Sequence, residues 1–152
     1  MKTKITPFLW FNGKAGEAAD FYTSIFKNSK VLGSSPGPEG IMSATVELEG
    51  QRLILFNGGP MFKFTEAFSL SVSCETQEEI DEKWEKLIAG GGQESRCGWL
   101  KDKYGLSWQI VPPILEKLLS DPDQEKSKRA LNAMFKMNKI IIKDLQDAYE
   151  GK

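Results

Sequence analysis

Histidine is absent from this 152-residue sequence. Without an imidazole, Ser-His-Asp and Cys-His triads, histidine proton relays and histidine-containing metal sites are all excluded. Any chemistry must therefore use carboxylates, lysine, tyrosine, cysteine or the backbone. The two cysteines, Cys74 and Cys97, form no CxxC pair. They predict free thiols and neither a zinc ribbon nor a disulfide framework.

Long apolar runs are also missing, since the longest are residues 8–11 and 53–56, four residues each. A transmembrane helix needs ~20 apolar residues, and a signal-peptide core is longer than four. We therefore expect no membrane partner and a cytoplasmic location. The charges balance at 20 Lys and Arg against 21 Asp and Glu, without a basic block. This argues against a nucleic-acid partner.

The first half of the chain predicts a βαβββ order. Aromatic and apolar spacing predicts a strand over residues 5–12, a helix over 15–26 and a short strand over 30–34. The Pro and Gly residues of the segment 35–40 predict a loop. Alternating residues then predict a hairpin, with strands at 44–48 and 52–57 and a turn at 49–51.

The second half repeats this order, with a strand over 68–74 and a helix that Thr76 and Glu79 begin as a capping box. Gly90 to Gly92 end the helix, and strands at 93–100 and 106–111 flank a turn at 102–105. A repeated βαβββ unit is a specific architectural signal. We predict an α+β domain over residues 1–112, with modules at about 4–58 and 66–112. Residues 113–152 form a helical extension, with one helix from Ser120 through Met137 and a shorter one ending at Gly151.

Four stretches carry a family resemblance: PFLWFNGKAGEAADFY from Pro7, NGGPMFKFTEAFSLSV from Asn57, CGWLKDKYGLSWQIVP from Cys97 and AMFKMNKIIIKDLQDAYEG from Ala133. In these the chain resembles the PhnB-like branch of the vicinal oxygen chelate superfamily, which includes glyoxalase I, bleomycin-resistance proteins and extradiol dioxygenases. The resemblance implies cupped mixed sheets around a cavity, in a homodimer. Members of this branch often carry the label 3-demethylubiquinone methyltransferase.

The superfamily's metal sites take one ligand from each of four strands. Transferred to this sequence, those positions fall at Thr6 or Phe8, within residues 53–55, at Ala67 or Ser69, and at Gln109. Only Gln109 has ligand character, and one neutral amide oxygen cannot hold a transition metal against water. We expect neither a metal nor another cofactor. The segments SSPGPEG and NGGP are not followed by a predicted helix, which argues against a nucleotide-type methyl donor.

The candidate ligand-binding residues are Trp10, Asn57, Ser69, Ser71, Cys97, Trp99 and Gln109. Ser69, Ser71 and Ser73 form a polar stripe on one predicted strand, and Gln109 lies on the polar face of another. Serines without a base do not act as nucleophiles, so no catalytic residue is assigned. The alternatives are an exposed sheet face for the serines and Gln109, a small buried thiol for Cys97, and ordinary core packing for the tryptophans.

The function that these patterns favour is the binding of a small, partly aromatic molecule in a dimer cavity. Three alternatives stay open: a metal-independent isomerase, lyase or transferase, a metal-dependent glyoxalase-like enzyme, and a structural dimer with a filled cavity. The enzyme without metal would use carboxylates, a lysine or Cys97. The C-terminal segment either covers its own module or lies across a partner subunit.

Overall fold

The computed structural model describes residues 3–152. In this range eight strands and five helices follow one another as β1 (Phe8–Phe11), α1 (Ala15–Ile25), β2 (Ser29–Gly37), β3 (Gly40–Leu48), β4 (Gln51–Asn57), β5 (Ser69–Ser73), α2 (Gln77–Ile88), β6 (Gln93–Glu94), β7 (Trp99–Lys101), β8 (Ser107–Val111), α3 (Pro113–Leu119), α4 (Gln124–Phe135) and α5 (Ile142–Glu150). They form two compact units. The first contains the described residues up to Phe64, and the second contains residues Thr65–Lys152.

The first unit is a four-stranded mixed sheet in the order β1-β4-β3-β2, with α1 on one face. Strand β1 runs parallel to β4, and the other pairs are antiparallel. Alternation along the strands buries one face, as at Leu9, Val46 and Leu55, against α1 residues such as Ala18 and Tyr22. The predicted βαβββ order of the first half is confirmed.

One prediction in the first half was wrong, because only residues 38 and 39 of the predicted loop 35–40 lie outside the strands. Strand β2 continues through Pro36 to Gly37, and a shift in pairing register between Ser35 and Pro36 accommodates the proline. The turn after β3 matches the prediction. There Glu49 and Gly50 both have positive φ, 47° and 86°, as a two-residue hairpin turn requires.

The second unit repeats the architecture with a sheet in the order β5-β8-β7-β6, in which β5 and β8 are parallel. Helix α2 begins where the Thr76 hydroxyl accepts a hydrogen bond of 3.1 Å from the Glu79 amide, as the sequence predicts. The helix packs on β7 and β8 and buries Trp84 on that side of the sheet. Trp108 lies buried on the same side, so the other side of the sheet is left for the polar residues.

The predicted strand over 93–100 is interrupted, which corrects the placement of Cys97 on a strand. Cys97 and Gly98 have left-handed φ values of 60° and 85° and separate β6 from β7. A residue in that conformation cannot continue a strand. The amides of Cys97 and Gly98 instead donate to the carbonyls of Met137 and Asn138, at 2.9 and 2.8 Å.

The C-terminal segment forms three helices, one more than predicted. The extra helix, α3, begins at Pro113, where a proline is tolerated because its missing N–H has no partner in a helical first turn. The predicted helix from Ser120 to Met137 is shorter, and α4 begins after the cap residue Asp123. The last helix ends as predicted, with Gly151 at a φ of 80°.

Within the second unit, the extension is hydrogen-bonded to α2. The Gln77 side chain of α2 donates to the Ile140 carbonyl at 3.0 Å and accepts from the Ile142 amide at 2.8 Å. Ile140 and Leu145 are fully buried in the apolar cluster of the extension. Within residues 3–152, no helix combines the length and the apolar character that crossing a membrane requires.

Candidate ligand-binding site

One face of the second sheet carries its polar residues. Gln109 of β8 lies between Ser71 of β5 and Trp99 of β7, and Ser107 lies between Ser69 and Lys101. Paired residues of neighbouring strands share a face. The strands therefore bring together four of the predicted site residues: Ser69, Ser71, Trp99 and Gln109.

Gln109 and Ser69 contact each other directly, since the Gln109 amide nitrogen donates a hydrogen bond of 3.1 Å to the Ser69 hydroxyl. Gln109 is half-buried and Ser71 is exposed. No donor among the described residues reaches the Gln109 carbonyl oxygen. The pair thus leaves one amide acceptor at the centre of the polar face, able to receive a hydrogen bond from a bound molecule.

A cavity of about 280 Å³ opens at one end of this face. Of the predicted site residues only Trp99 lies in its wall, together with Glu66, Gln93, Lys101 and Ser107. Ser69, Ser71 and Gln109 lie on the same face of the sheet, outside the wall. The Lys101 ammonium forms an ion pair with the Glu66 carboxylate, and this hydrogen bond holds the pKa of Glu66 below its usual value. Glu66 is therefore ionised at neutral pH, which makes it a weak general base and no general acid there.

Ser107 in the cavity wall is the unusual polar residue of the second unit. Its side chain is 0% exposed, and its Oγ has no hydrogen-bond partner among the residues that the structure describes. Buried polar atoms without a partner are rare in folded proteins. The sequence predictions did not select Ser107, Lys101 or Glu66. The strand alternation does place Ser107 on the face of Gln109, and it could have placed Lys101 there, but Glu66 lies in a turn that gives no periodic signal.

Cys97 lies next to β7 but belongs to the connection that the extension holds, and its thiol is partly exposed. It is not among the residues of the cavity wall. Its role in binding stays a prediction. Cys74, in contrast, is fully buried after β5, and this burial raises the pKa of its thiol to about 12. Cys74 is a packing residue, as buried free cysteines usually are.

The remaining two candidates, Trp10 and Asn57, belong to the first unit. The Asn57 side chain accepts from the Ala15 amide at 2.9 Å and donates to the Ile41 carbonyl at 3.0 Å. These hydrogen bonds connect the start of α1 to β3, so the role of Asn57 in this structure is structural. The Trp10 indole donates to the Gly59 carbonyl at 3.0 Å.

Trp10 is part of an aromatic face on the side of the first sheet opposite α1. Its ring makes edge contacts with Phe56 and Phe62, whose centroids lie 5.3 and 4.9 Å away. Phe8 contacts Phe56 and is 58% exposed. Gly58 permits this arrangement, because a Cβ at that position would lie 2.3 Å from the Trp10 ring.

The positions of the superfamily's metal ligands hold no suitable donor set. Phe8 is apolar, Leu53 and Leu55 are buried in the core, and the Gln109 amide nitrogen is bonded to Ser69. Within residues 3–152, no group of three or more Cys, Asp or Glu residues is placed to hold an ion. The side chains at these positions therefore do not fit a transition metal, which prefers several imidazole, thiolate or carboxylate ligands.

Asp102 is a buried carboxylate in the turn before β8, and its role is structural. Its Oδ1 accepts from the Tyr104 and Leu106 amides at 2.9 and 3.1 Å, and its Oδ2 accepts from the Trp108 indole at 2.9 Å. These bonds orient the strand that carries Ser107 and Gln109. The aspartate of the DKYG segment thus stabilises the site without lining it.

The family model of the 3-demethylubiquinone-9 3-methyltransferases matches residues 3–111. The chain belongs to this family. It lies in the PhnB-like branch of the vicinal oxygen chelate superfamily, as the sequence predicts. Residues 112–152, which include all of α3, α4 and α5, lie outside the match and extend the PhnB-like fold of this chain.

Solved structures support the same placement. A PhnB protein from Bacillus cereus, described as a 3-demethylubiquinone-9 3-methyltransferase, is 40% identical with a TM-score of 0.67, over 72% of this chain and 99% of its own. A protein from Pseudomonas aeruginosa is 21% identical with a TM-score of 0.59, over 73% and 98% of the two chains.

A fosfomycin resistance protein, FosX, from Listeria monocytogenes, solved with Mn(II) and 1S,2S-dihydroxypropylphosphonic acid, is 18% identical. Its TM-score is 0.59, over 79% of this chain and 100% of its own, and this likeness concerns the fold alone. No protein with a curated functional description matches the chain.

The family's methyltransferase label has no counterpart in the glycine-rich segments of this PhnB-like chain. The segment SSPGPEG lies in the β2–β3 hairpin, and NGGP follows β4 without a helix after it. A nucleotide-type methyl donor is usually bound where a glycine-rich turn leads from a strand into a helix. Neither segment has that geometry.

Proposed function

We propose that this PhnB-like protein binds a small organic molecule at the polar face of its second sheet, without a metal, and that it acts as a homodimer. The observation that carries the proposal is the cavity of about 280 Å³ beside that face. This volume is slightly below the range of drug-sized pockets, ~300–1,000 Å³, so the ligand is small.

The chemistry of the face supports binding over catalysis. Gln109 and Ser71 offer neutral hydrogen-bonding groups, and Trp99 offers an apolar surface. Ser107 has no histidine to remove its proton, because the sequence contains none. The one carboxylate with a lowered pKa in the wall, Glu66, is held in an ion pair. These groups can orient a ligand, and none is activated to transform it.

The aromatic face of the first unit supports the dimer. Phe8 and Phe62 are each 58% exposed, and Met61 is 77% exposed. Large exposed apolar residues that lie together are typical of surfaces that contact another molecule. A second copy of the chain is the occupant that the family resemblance favours.

Native mass spectrometry of the purified protein, after incubation with a metabolite extract, tests both parts of the proposal. We expect twice the chain mass and a retained molecule, and a Gln109→Leu variant should lose that molecule while keeping its melting temperature. Leaving a polar group of the ligand unpaired costs ~1–3 kcal/mol, which weakens binding about fivefold to more than a hundredfold. A Gln51→Leu variant, changed at an exposed position of β4 in the first unit, is the matched control.

Two outcomes contradict the proposal. Retention of the same molecule by the Gln109→Leu variant with unchanged affinity would remove the polar face from the site. A single chain mass at micromolar concentration would remove the dimer.

A further inference from the structure

Ser107 and Lys101 lie side by side in the wall of the cavity and provide a hydroxyl and an ammonium group. They are direct partners across the antiparallel β7–β8 pair, and both residues line the cavity. The Ser107 hydroxyl is a hydrogen-bond donor without an acceptor among the described residues. The Lys101 ammonium is a cation whose partner, Glu66, belongs to a turn and to no helix or strand. Both groups therefore suit a negatively charged oxygen.

Resting on the proposed ligand-binding function, we propose that the cavity takes the anionic group of its ligand, a carboxylate or a phosphate, on Lys101 and Ser107, in place of the Glu66 carboxylate. The ligand is then a small organic anion. Glu66 occupies the site in the free protein as an internal competitor. No covalent step is involved.

The exposure of the ion pair makes this exchange feasible. The side chains of Lys101 and Glu66 are 37% and 61% exposed, so water solvates both when they separate. Glu66 can leave with its turn, because no regular element holds it. The ammonium of Lys101 is then open to a new anion. Because the Ser107 hydroxyl is buried in the free protein, a ligand can accept from it only once Glu66 and its turn have moved, and it then gains a bond that Glu66 does not make.

The other carboxylate in the wall does not compete for Lys101. Glu94 Oε1 accepts a hydrogen bond of 2.6 Å from the Trp84 indole, which binds it to the helix side of the sheet. The polar residues Gln93 and Ser95 add no charge. Removal of Glu66 thus leaves the Lys101 ammonium without a carboxylate partner in the wall, and an anion can pair with it where a neutral or cationic group cannot.

Titration of isotope-labelled protein tests the proposal, with binding measured from the amide chemical shifts in NMR spectra. Three probes are titrated at constant ionic strength. The probes are inorganic phosphate, acetate and acetamide, the last being the neutral counterpart of acetate. We expect phosphate and acetate to shift the amides of β7 and β8 saturably and acetamide to leave them unchanged.

Variants separate the contributions of the three residues. Glu66→Gln should tighten acetate binding several-fold because it removes the competitor. Lys101→Met should weaken binding by about tenfold or more, and Ser107→Ala by about threefold to tenfold. Ser107→Ala should not lower the melting temperature, since the hydroxyl has no bond to lose. Glu85→Gln and Lys117→Met, at exposed positions on α2 and α3, are the matched controls and should behave like the original protein.

Equal affinities of the original protein, Glu66→Gln and Lys101→Met for acetate would overturn the proposal, as would equal binding of acetamide. Its failure is distinguishable from failure of the proposed function. A retained neutral molecule that depends on Gln109 would keep the ligand-binding function and reject the anion. Saturable acetate binding without any molecule retained from the extract would keep the anion site and reject the wider function.

Discussion

Replacement of Asp102 tests whether the second sheet depends on one buried carboxylate. Asp102 is 2% exposed and accepts from two backbone amides and the Trp108 indole. Asp102→Ala removes the buried acceptor of the Leu106 amide and of the Trp108 indole. At ~1–3 kcal/mol for each buried donor, the loss is about 2–6 kcal/mol. Such a loss is large against a total stability of ~5–15 kcal/mol.

Asp102→Asn should cost less, because its carbonyl oxygen still accepts from the backbone amides, while the bond to Trp108 is lost. We expect about 1–3 kcal/mol, or a fall in melting temperature of roughly 2–12 °C for a chain of this size. The measurement is urea denaturation followed by tryptophan fluorescence. The exposed Asp20→Asn on α1 is the control and should stay within ~0.5 kcal/mol of the original protein.

A double-mutant cycle identifies the bond itself. In a Trp108→Phe background the indole donor is gone, so Asp102→Asn should cost clearly less than in the original chain. Equal costs in both backgrounds, or an Asp102→Ala variant as stable as the original protein, would refute the role given to this carboxylate.

Two further predictions concern the first unit and the thiols. Gly58→Ala should destabilise the protein by roughly 1–3 kcal/mol in thermal unfolding, because the new Cβ overlaps the Trp10 ring. Gly33→Ala, which has open space around the new Cβ, is the control and should cost far less. Equal losses of stability in the two variants would contradict the contact between Gly58 and Trp10. In a thiol titration at pH 8, the native protein should react with one equivalent of reagent per chain, at the partly exposed Cys97, and the unfolded protein with two. Cys74 does not react in the native protein because burial raises the pKa of its thiol to about 12. Rapid labelling of Cys74 in the native protein would contradict its burial.

Sequence periodicity predicts the strands and helices of both modules because buried residues recur along each of them at the regular spacing of a strand or a helix. In β8, for example, Trp108 and Ile110 are buried while Gln109 between them is half-buried, and the predicted polar face follows directly. The interruption at Cys97 could not be predicted in this way. Its left-handed backbone depends on hydrogen bonds to Met137 and Asn138, which are distant in sequence and produce no local pattern.

The candidate site likewise contains residues that the sequence predicts and residues that it does not. The alternation places Ser69, Ser71 and Gln109 on one face, and the strand registers agree. Glu66 was missed because a charged residue in an exposed turn resembles any other solvated residue. Ser107 was missed because a serine on a strand gives no indication that its hydroxyl is buried without a partner.

The hydrogen bonds from Cys97 and Gly98 to Met137 and Asn138 also affect the order in which the chain folds during synthesis. The first unit has all its strands once residue 57 has been made, so it can fold early, as N-terminal units generally do. The second unit has all its strands at residue 111, yet the amides at Cys97 and Gly98 lack their acceptors until α4 is complete. The polar face beside β7 therefore reaches its final form only after α4 has been made. A translation product that stops after β8 would contain every strand, while the connection next to Trp99 lacked its support.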